Sequence, residues 1–191
     1  MRRNFLIAIL YTTVSTLLLG IGYPLLIAGL ARAFFPVKAN GSLIYSNGVL
    51  AGSKLIVQSF TGPRYFHSRP SAAGIGYDAS ASGGSNLGPT NQKLVDRISA
   101  DVKSLSQEHP GTPVPIDLVT TSGSGLDPDI TPAAAEFQVS TVAHARGLSE
   151  AEVRVAVRRH TSQRQFGFLG EPRVNVLELN RDLDNLSSSK K

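Results

Sequence analysis

Two stretches of the chain concentrate the residue types that nucleophilic or acid–base chemistry needs. Gly83-Gly84-Ser85-Asn86-Leu87 and Ser122-Gly123-Ser124-Gly125 set serines among glycines, and Asp127 and Asp129 stand just beyond the second. A hydrolase serine sits on a sharp strand-to-helix turn whose spacing is Gly-x-Ser-x-Gly. Neither stretch keeps that spacing, so Ser85 and Ser124 lack a nucleophile elbow. A phosphate loop needs Gly-x-x-x-x-Gly-Lys-Ser/Thr, in which successive amides cradle the phosphates and the lysine reaches them. Gly52-Ser53-Lys54 has no upstream glycine and puts hydroxyl and lysine in the wrong order, and the dinucleotide fingerprint is absent too. His67, His109, His144 and His160 are scattered, with no second imidazole or carboxylate at ligand spacing, so a catalytic metal is not expected. Asp127 and Asp129 are a carboxylate pair that could take a cation or a proton. Asp127-Pro128 is also a strong turn former, and the turn is the preferred reading. With no cysteine there is no disulfide, thiolate metal site or thiol nucleophile.

The same two stretches are rich in backbone amides. Ser71 to Thr90 carries five Gly and four Ser, Thr120 to Pro132 is similar in kind, and both run into expected helices. Their amides could form an anion nest or meet a partner surface. The plainer reading is that Asn, Asp, Ser and Gly cap helices and supply positive φ.

The elements around these loops read as one interleaved α/β or α+β domain. Val49 to Phe60 and Pro115 to Thr120 are rich in β-branched residues and bounded by Gly or Pro, which predicts strands. Leu94, Ile98, Val102 and Leu105 follow helical spacing between Thr90 and Gln107, predicting an amphipathic helix facing a core. Thr131-Pro132 opens a further helix as N-cap and first-turn proline, and Gly147 closes it. Ser149 and Glu152 form a capping box for the next helix, whose Val153 and Val157 face inward. Arg173 to Leu179 alternates Val174, Asn175 and Val176 and predicts a last strand.

Ahead of this domain, Phe5 to Leu30 contains no charged residue and exceeds the roughly 20 residues needed to cross a bilayer. Ala31-Arg32-Ala33 resembles a signal cleavage site, but the apolar run is far longer than the roughly 7–15 residues of a signal core, so a retained anchor is expected. Thr12, Thr16 and Gly20 recur every fourth residue and offer a small-residue face for another membrane helix. Serine and threonine bonding back to their own helix is an equal alternative. Pro24 removes a backbone donor and predicts a kink. The expected organisation is an anchor over residues 1–35, a domain over 36–186 and a polar tail over 187–191. Arg2, Arg3 and Arg32 flank the apolar run, whereas the domain's charges are nearly balanced and dispersed, although the formal net charge is +5. A nucleic-acid surface, which needs clustered cations, is therefore not expected.

Six longer segments carry a resemblance: GSKLIVQSF (52–60), YFHSRPSA (65–72), YDASASGGSNLGPTN (77–91), VPIDLVTTSGSGLDPDITPAAAEFQV (114–139), VAHARGLSEAEV (142–153) and GFLGEPRVNVLELN (167–180). In this order they resemble the C subunit of the bacterial Kdp-type potassium-transporting P-type ATPase. The resemblance implies a non-catalytic accessory subunit of a high-affinity potassium-uptake complex in the bacterial plasma membrane. Its implied partners are a channel-like potassium-binding subunit, a P-type ATPase subunit phosphorylated by ATP and a small accessory membrane subunit, within the lipid bilayer. It also implies a chaperone-like effect on the ATPase subunit's affinity for ATP, with potassium as the transported ion. If the N-terminus is cytoplasmic, a single crossing puts the domain outside, where there is no ATP to hold, and capping the potassium entry fits better.

Within the matching segments, Gln58, Ser82, Gly83, Gly84, Ser85, Asn86, Ser122, Gly123, Ser124, Asp127, Glu171, Arg173 and Asn175 are the expected partner or ligand contacts. Glu171 and Arg173 have a second reading as a turn-stabilising pair. Two positions depart from the family pattern: Val57 stands where Gly is frequent, and Asp129 where His is common. A membrane-tethered hydrolase using Ser85 or Ser124, or a stand-alone ligand-binding module, is the alternative.

Overall fold

The uncharged N-terminal run folds as one helix from Arg2 to Phe34, 33 residues in which no side chain is buried by the rest of the chain. At 1.5 Å per residue it is about 50 Å long, enough to cross an apolar layer about 30 Å thick. Its register is not uniform. Helix α1 (Arg2–Ser15) passes into π-helical turns at Thr16–Gly22 before α2 (Tyr23–Phe34), and Tyr23 N–H reaches Leu18 C=O. Pro24 supplies the reason: it has no N–H and its ring crowds the carbonyl four residues back, so a wider turn just upstream relieves both problems. The π turns at Thr16–Gly22 are thus the departure from regular helix found beside Pro24.

In this computed structural model, residues 1–46 and 48–188 are described, and the chain divides into two compact units, Met1–Ser53 and Lys54–Lys191. The first adds to its helix a short α3 (Pro36–Ala39) and an antiparallel hairpin of β1 (Leu43–Ser46) with β2 (Val49–Ser53). The strand expected over Val49 to Phe60 therefore ends at Ser53. Beyond it Val57 N–H bonds Leu126 C=O, a loop carbonyl, in place of a strand ladder.

The second unit is α+β. Its small antiparallel sheet has the order β3 (Asp129–Ile130), β5 (Arg173–Asn175), β4 (Thr161–Ser162), with Val174 facing both Ile130 and Thr161. Three helices pack around it. Helix α5 (Pro132–Arg146) starts on the Thr131 hydroxyl, which accepts Ala134 N–H, and stops at Gly147, whose φ of 65° suits glycine. Helix α6 (Glu150–Arg159) carries the Ser149–Glu152 capping box and buries Val153 and Val157, as expected. Helix α7 (Val176–Ser188) begins where a strand was expected to continue. Asn175 Oδ1 accepts Glu178 N–H and caps it, while Val176, Leu179 and Leu183, three and four residues apart, go fully into the core. Each such buried side chain contributes about 1.5–3 kcal/mol, which outweighs the strand preference of Val174 and Val176. Of the expected tail, Ser187 and Ser188 belong to α7, and residues 189–191 lie outside the described residues.

Two further expectations are corrected. Pro115 to Thr120 is a 3-10 turn at Ile116–Leu118, because Val119 and Thr120 N–H return to Ile116 C=O and the buried Asp117 carboxylate accepts Thr131 N–H at 2.8 Å. Helix α4 (Gln92–Glu108) is amphipathic as expected, yet none of its residues is buried. It walls an open cleft of about 890 Å³, opposite Tyr65, His67 and Phe137, and only Leu105 reaches the main core.

Candidate functional site: two stitched glycine-serine loops

Because Lys54 to Asn91 contains neither helix nor strand, side chains must satisfy its backbone. The fully buried Asn180 holds Phe66 from both sides, accepting its N–H at 2.8 Å and donating to its C=O at 2.9 Å. Gln138 does the same one residue on, accepting His67 N–H at 2.7 Å and donating to His67 C=O at 3.1 Å. Two amides on α5 and α7 thus act as strand partners, and Phe66 seats in the core between them.

The clamped segment delivers Arg69 and Ser71 to the second loop. Arg69 donates from Nε to Thr120 C=O and from Nη2 to Thr120 Oγ1 and Thr121 C=O, with Nη1 3.6 Å from Asp127 Oδ2. Ser71 Oγ donates to Gly125 C=O at 2.6 Å and accepts the N–H groups of Ala73 and Tyr77. Further along, Gly83 N–H and Ser82 Oγ both reach Ser124 C=O. The loops that sequence separated are therefore one structure, and Gly125 lies at its centre with φ of 67°. A Cβ there would come within 2.5 Å of Gly83 C=O and 2.8 Å of Ala73 N.

Gly83, Gly84, Ser122, Gly123, Ser124 and Asp127 are thus gathered in this cluster, with a Cβ on Gly84 falling 3.1 Å from Gly123 C=O. Ser82 and Ser124 lie on its exposed rim, Ser122 is buried, and Asn86, in the left-handed region with φ of 52°, is exposed beyond it. Ser85 and Gln58 are half-buried. Three of the amides are used within the cluster: Gly83 N–H bonds Ser124 C=O, Gly125 N–H bonds Ser122 C=O and Leu126 N–H bonds Ser124 Oγ.

A second polar group adjoins the sheet. Asp127 Oδ1 accepts Asp129 N–H, the expected turn. Asp129 in turn pairs with Arg173 Nε at 3.0 Å and accepts from Asn175 Nδ2 at 3.1 Å, while Asn175 also donates to Lys54 C=O. Desolvation of Asp129 raises its carboxyl above the ordinary value, partly offset by Asn175 and Arg173 and reinforced by Asp127. The possible Glu171–Arg173 pair is corrected: Glu171 bonds Arg164 across the preceding loop, and Arg173 bonds Asp129 across the sheet. On the N-terminal helix, Thr12, Thr16 and Gly20 are all exposed, and Thr16 Cγ2 lies 3.7 Å from where a Gly20 Cβ would stand, so those two form one small-residue patch.

Among the described residues, no three His, Asp or Glu side chains gather as a metal site. His67 bonds Gly62 C=O, His109 Thr141 and His160 Asp182, so these three imidazoles are engaged away from Ser85 and Ser124.

A family model described as the c chain of the K+-transporting ATPase, KdpC, matches residues 5–185. The chain belongs to the KdpC family. A KdpC subunit of a potassium-transporting ATPase from Koribacter versatilis (strain Ellin345) is 64% identical over 184 residues, covering 96% of this chain and 95% of that protein. Proteins of the same description from Acidobacterium capsulatum and Rhodospirillum rubrum are 56% identical over 179 residues and 53% over 186. The shares covered are 94% and 96% for the first and 96% and 96% for the second. The KdpC match includes the apolar helix as well as both loops.

Sequence reasoning passed over Asn180, Gln138 and Arg69, the residues that assemble the site. All three lie inside the segments that carry the resemblance, but none was singled out as a site residue, because a buried amide looks like any other Asn or Gln before the fold is known.

Proposed function

We propose that this chain is the accessory, non-catalytic subunit of an ATP-driven potassium-uptake complex, held in the plasma membrane by one crossing. The observation that carries the reading is the KdpC match running unbroken through a 33-residue helix that buries nothing within its own chain. Such a helix is stable only where lipid or other helices cover it. The small-residue patch at Thr16 and Gly20 supplies the place where a partner helix approaches.

Its partners are the channel-like potassium-binding subunit, the P-type ATPase subunit and a small accessory membrane subunit. Potassium is the transported ion, and ATP belongs to the ATPase subunit. Arg2, Arg3 and the amino terminus keep the N-terminal end cytoplasmic, which places Lys54 to Ser188 on the outer side. There the stitched loops, with Asn86, Asp127, Arg173 and Asn175 at the surface or half-buried, meet the channel subunit near its outer mouth. They brace potassium entry and touch no nucleotide. Protease added to intact cells and to inverted vesicles tests the placement. Cleavage of the C-terminal unit in cells only is expected; cleavage in inverted vesicles only overturns it.

A further inference from the structure

Between β4 and β5, every residue from Ser162 to Glu171 is exposed, and the tip reads Gln165-Phe166-Gly167-Phe168-Leu169-Gly170 without a charge. Phe166 is 87% and Phe168 70% exposed. The tip is nevertheless built: Gln165 and Leu169 exchange both backbone hydrogen bonds, at 2.8 and 2.9 Å, and Phe168 N–H returns to Gln165 C=O. Phe166 holds a φ of 53°, a strained conformation for an aromatic residue. Rings fixed in water this way are a preorganised apolar surface that none of the described residues covers.

Resting on the proposed subunit role, we infer that the Phe166–Leu169 tip is a plug received by an apolar socket on a partner subunit of the pump. Charge decides between a protein socket and lipid. Loops that enter a bilayer surface pair an apolar tip with a basic collar that meets anionic headgroups. Here the collar is neutral, since Arg164 is bonded to Glu171 across the base and Arg173 to Asp129. Exposed aromatic residues flanked by internally paired charges are the pattern of a protein hot spot with its polar rim.

The chain has no cysteine, so Phe168→Cys and Phe166→Cys each introduce a single thiol. Maleimide labelling of this subunit's band is compared between the assembled pump and the full-length subunit alone in phosphatidylglycerol-containing vesicles. The plug predicts labelling at least tenfold slower in the pump than alone. Failure of both variants to copurify with the larger subunits, at unchanged Tm of the isolated chain, supports it equally. Fast labelling in both preparations overturns it, and slow labelling in both overturns it in favour of lipid. If the unsubstituted chain itself does not copurify, the subunit reading fails; if it copurifies while the thiols stay reactive, only the plug fails.

Discussion

Asn180 on α7 grips both backbone polar groups of Phe66, 114 residues earlier in the chain, and both residues are fully buried. One amide therefore takes the place of a whole neighbouring strand for the segment that leads into the loop cluster. Asn180→Leu leaves the Phe66 N–H and C=O buried without partners, at a cost of about 2–4 kcal/mol. Thermal unfolding of the full-length chain in detergent, followed by circular dichroism, is expected to show a Tm lower by about 5–15 °C.

At Gly125 the loops leave no room for a side chain. Its φ of 67° alone makes alanine unfavourable by about 1–3 kcal/mol, and the approach to Gly83 C=O adds to that. Gly125→Ala is expected to lower Tm and the yield of assembled pump together. Gly123→Ala, where a Cβ meets nothing within 4 Å, is expected to leave Tm unchanged.

Ser124 serves the backbone of its own turn. Its Oγ accepts Leu126 N–H at 3.1 Å, so Ser124→Ala removes one hydrogen bond worth about 1 kcal/mol. Potassium-stimulated ATP hydrolysis by the assembled pump is expected to stay within twofold of the parent. A loss of tenfold or more would point to a chemical role for the hydroxyl.

Asp129 gives the domain a defined acid response. Because desolvation raises its carboxyl in the folded chain, the unfolded chain ionises first as pH rises through the ordinary value of 3.8. Folding stability therefore falls across that window and levels off once the folded carboxyl has also ionised. Asp129→Asn removes this fall, so the variant's Tm relative to the parent is expected to climb with pH from below 3.8 upward and then stay constant. A relative Tm that declines with pH over the same range contradicts the assignment.

How far the sequence carried differs element by element. Thr131-Pro132 and Ser149 to Glu152 announced α5 and α6 because capping is local, decided within one turn. The start of α7 was hidden because Val174-Asn175-Val176 alternates like a strand, and the burial that overrides this comes from distant residues. The candidate residues around Ser82 to Asn86 and Ser122 to Asp127 were legible as loops. That they form one cluster was not, since the bonds joining them, such as Ser71 to Gly125, span 54 residues. The exposed Phe166 and Phe168 went unremarked because single apolar residues say nothing of burial until the fold leaves them outside.

Membership of a pump is tested most directly by extracting the tagged full-length chain in mild detergent from cells that express the whole complex. Size-exclusion chromatography of the eluate should show this chain in fixed ratio with the two larger membrane subunits, in a peak that hydrolyses ATP when potassium is added. The chain extracted alone should not hydrolyse ATP. Elution as a monomer from cells that contain every subunit, with the potassium-stimulated activity in a separate peak, contradicts the account.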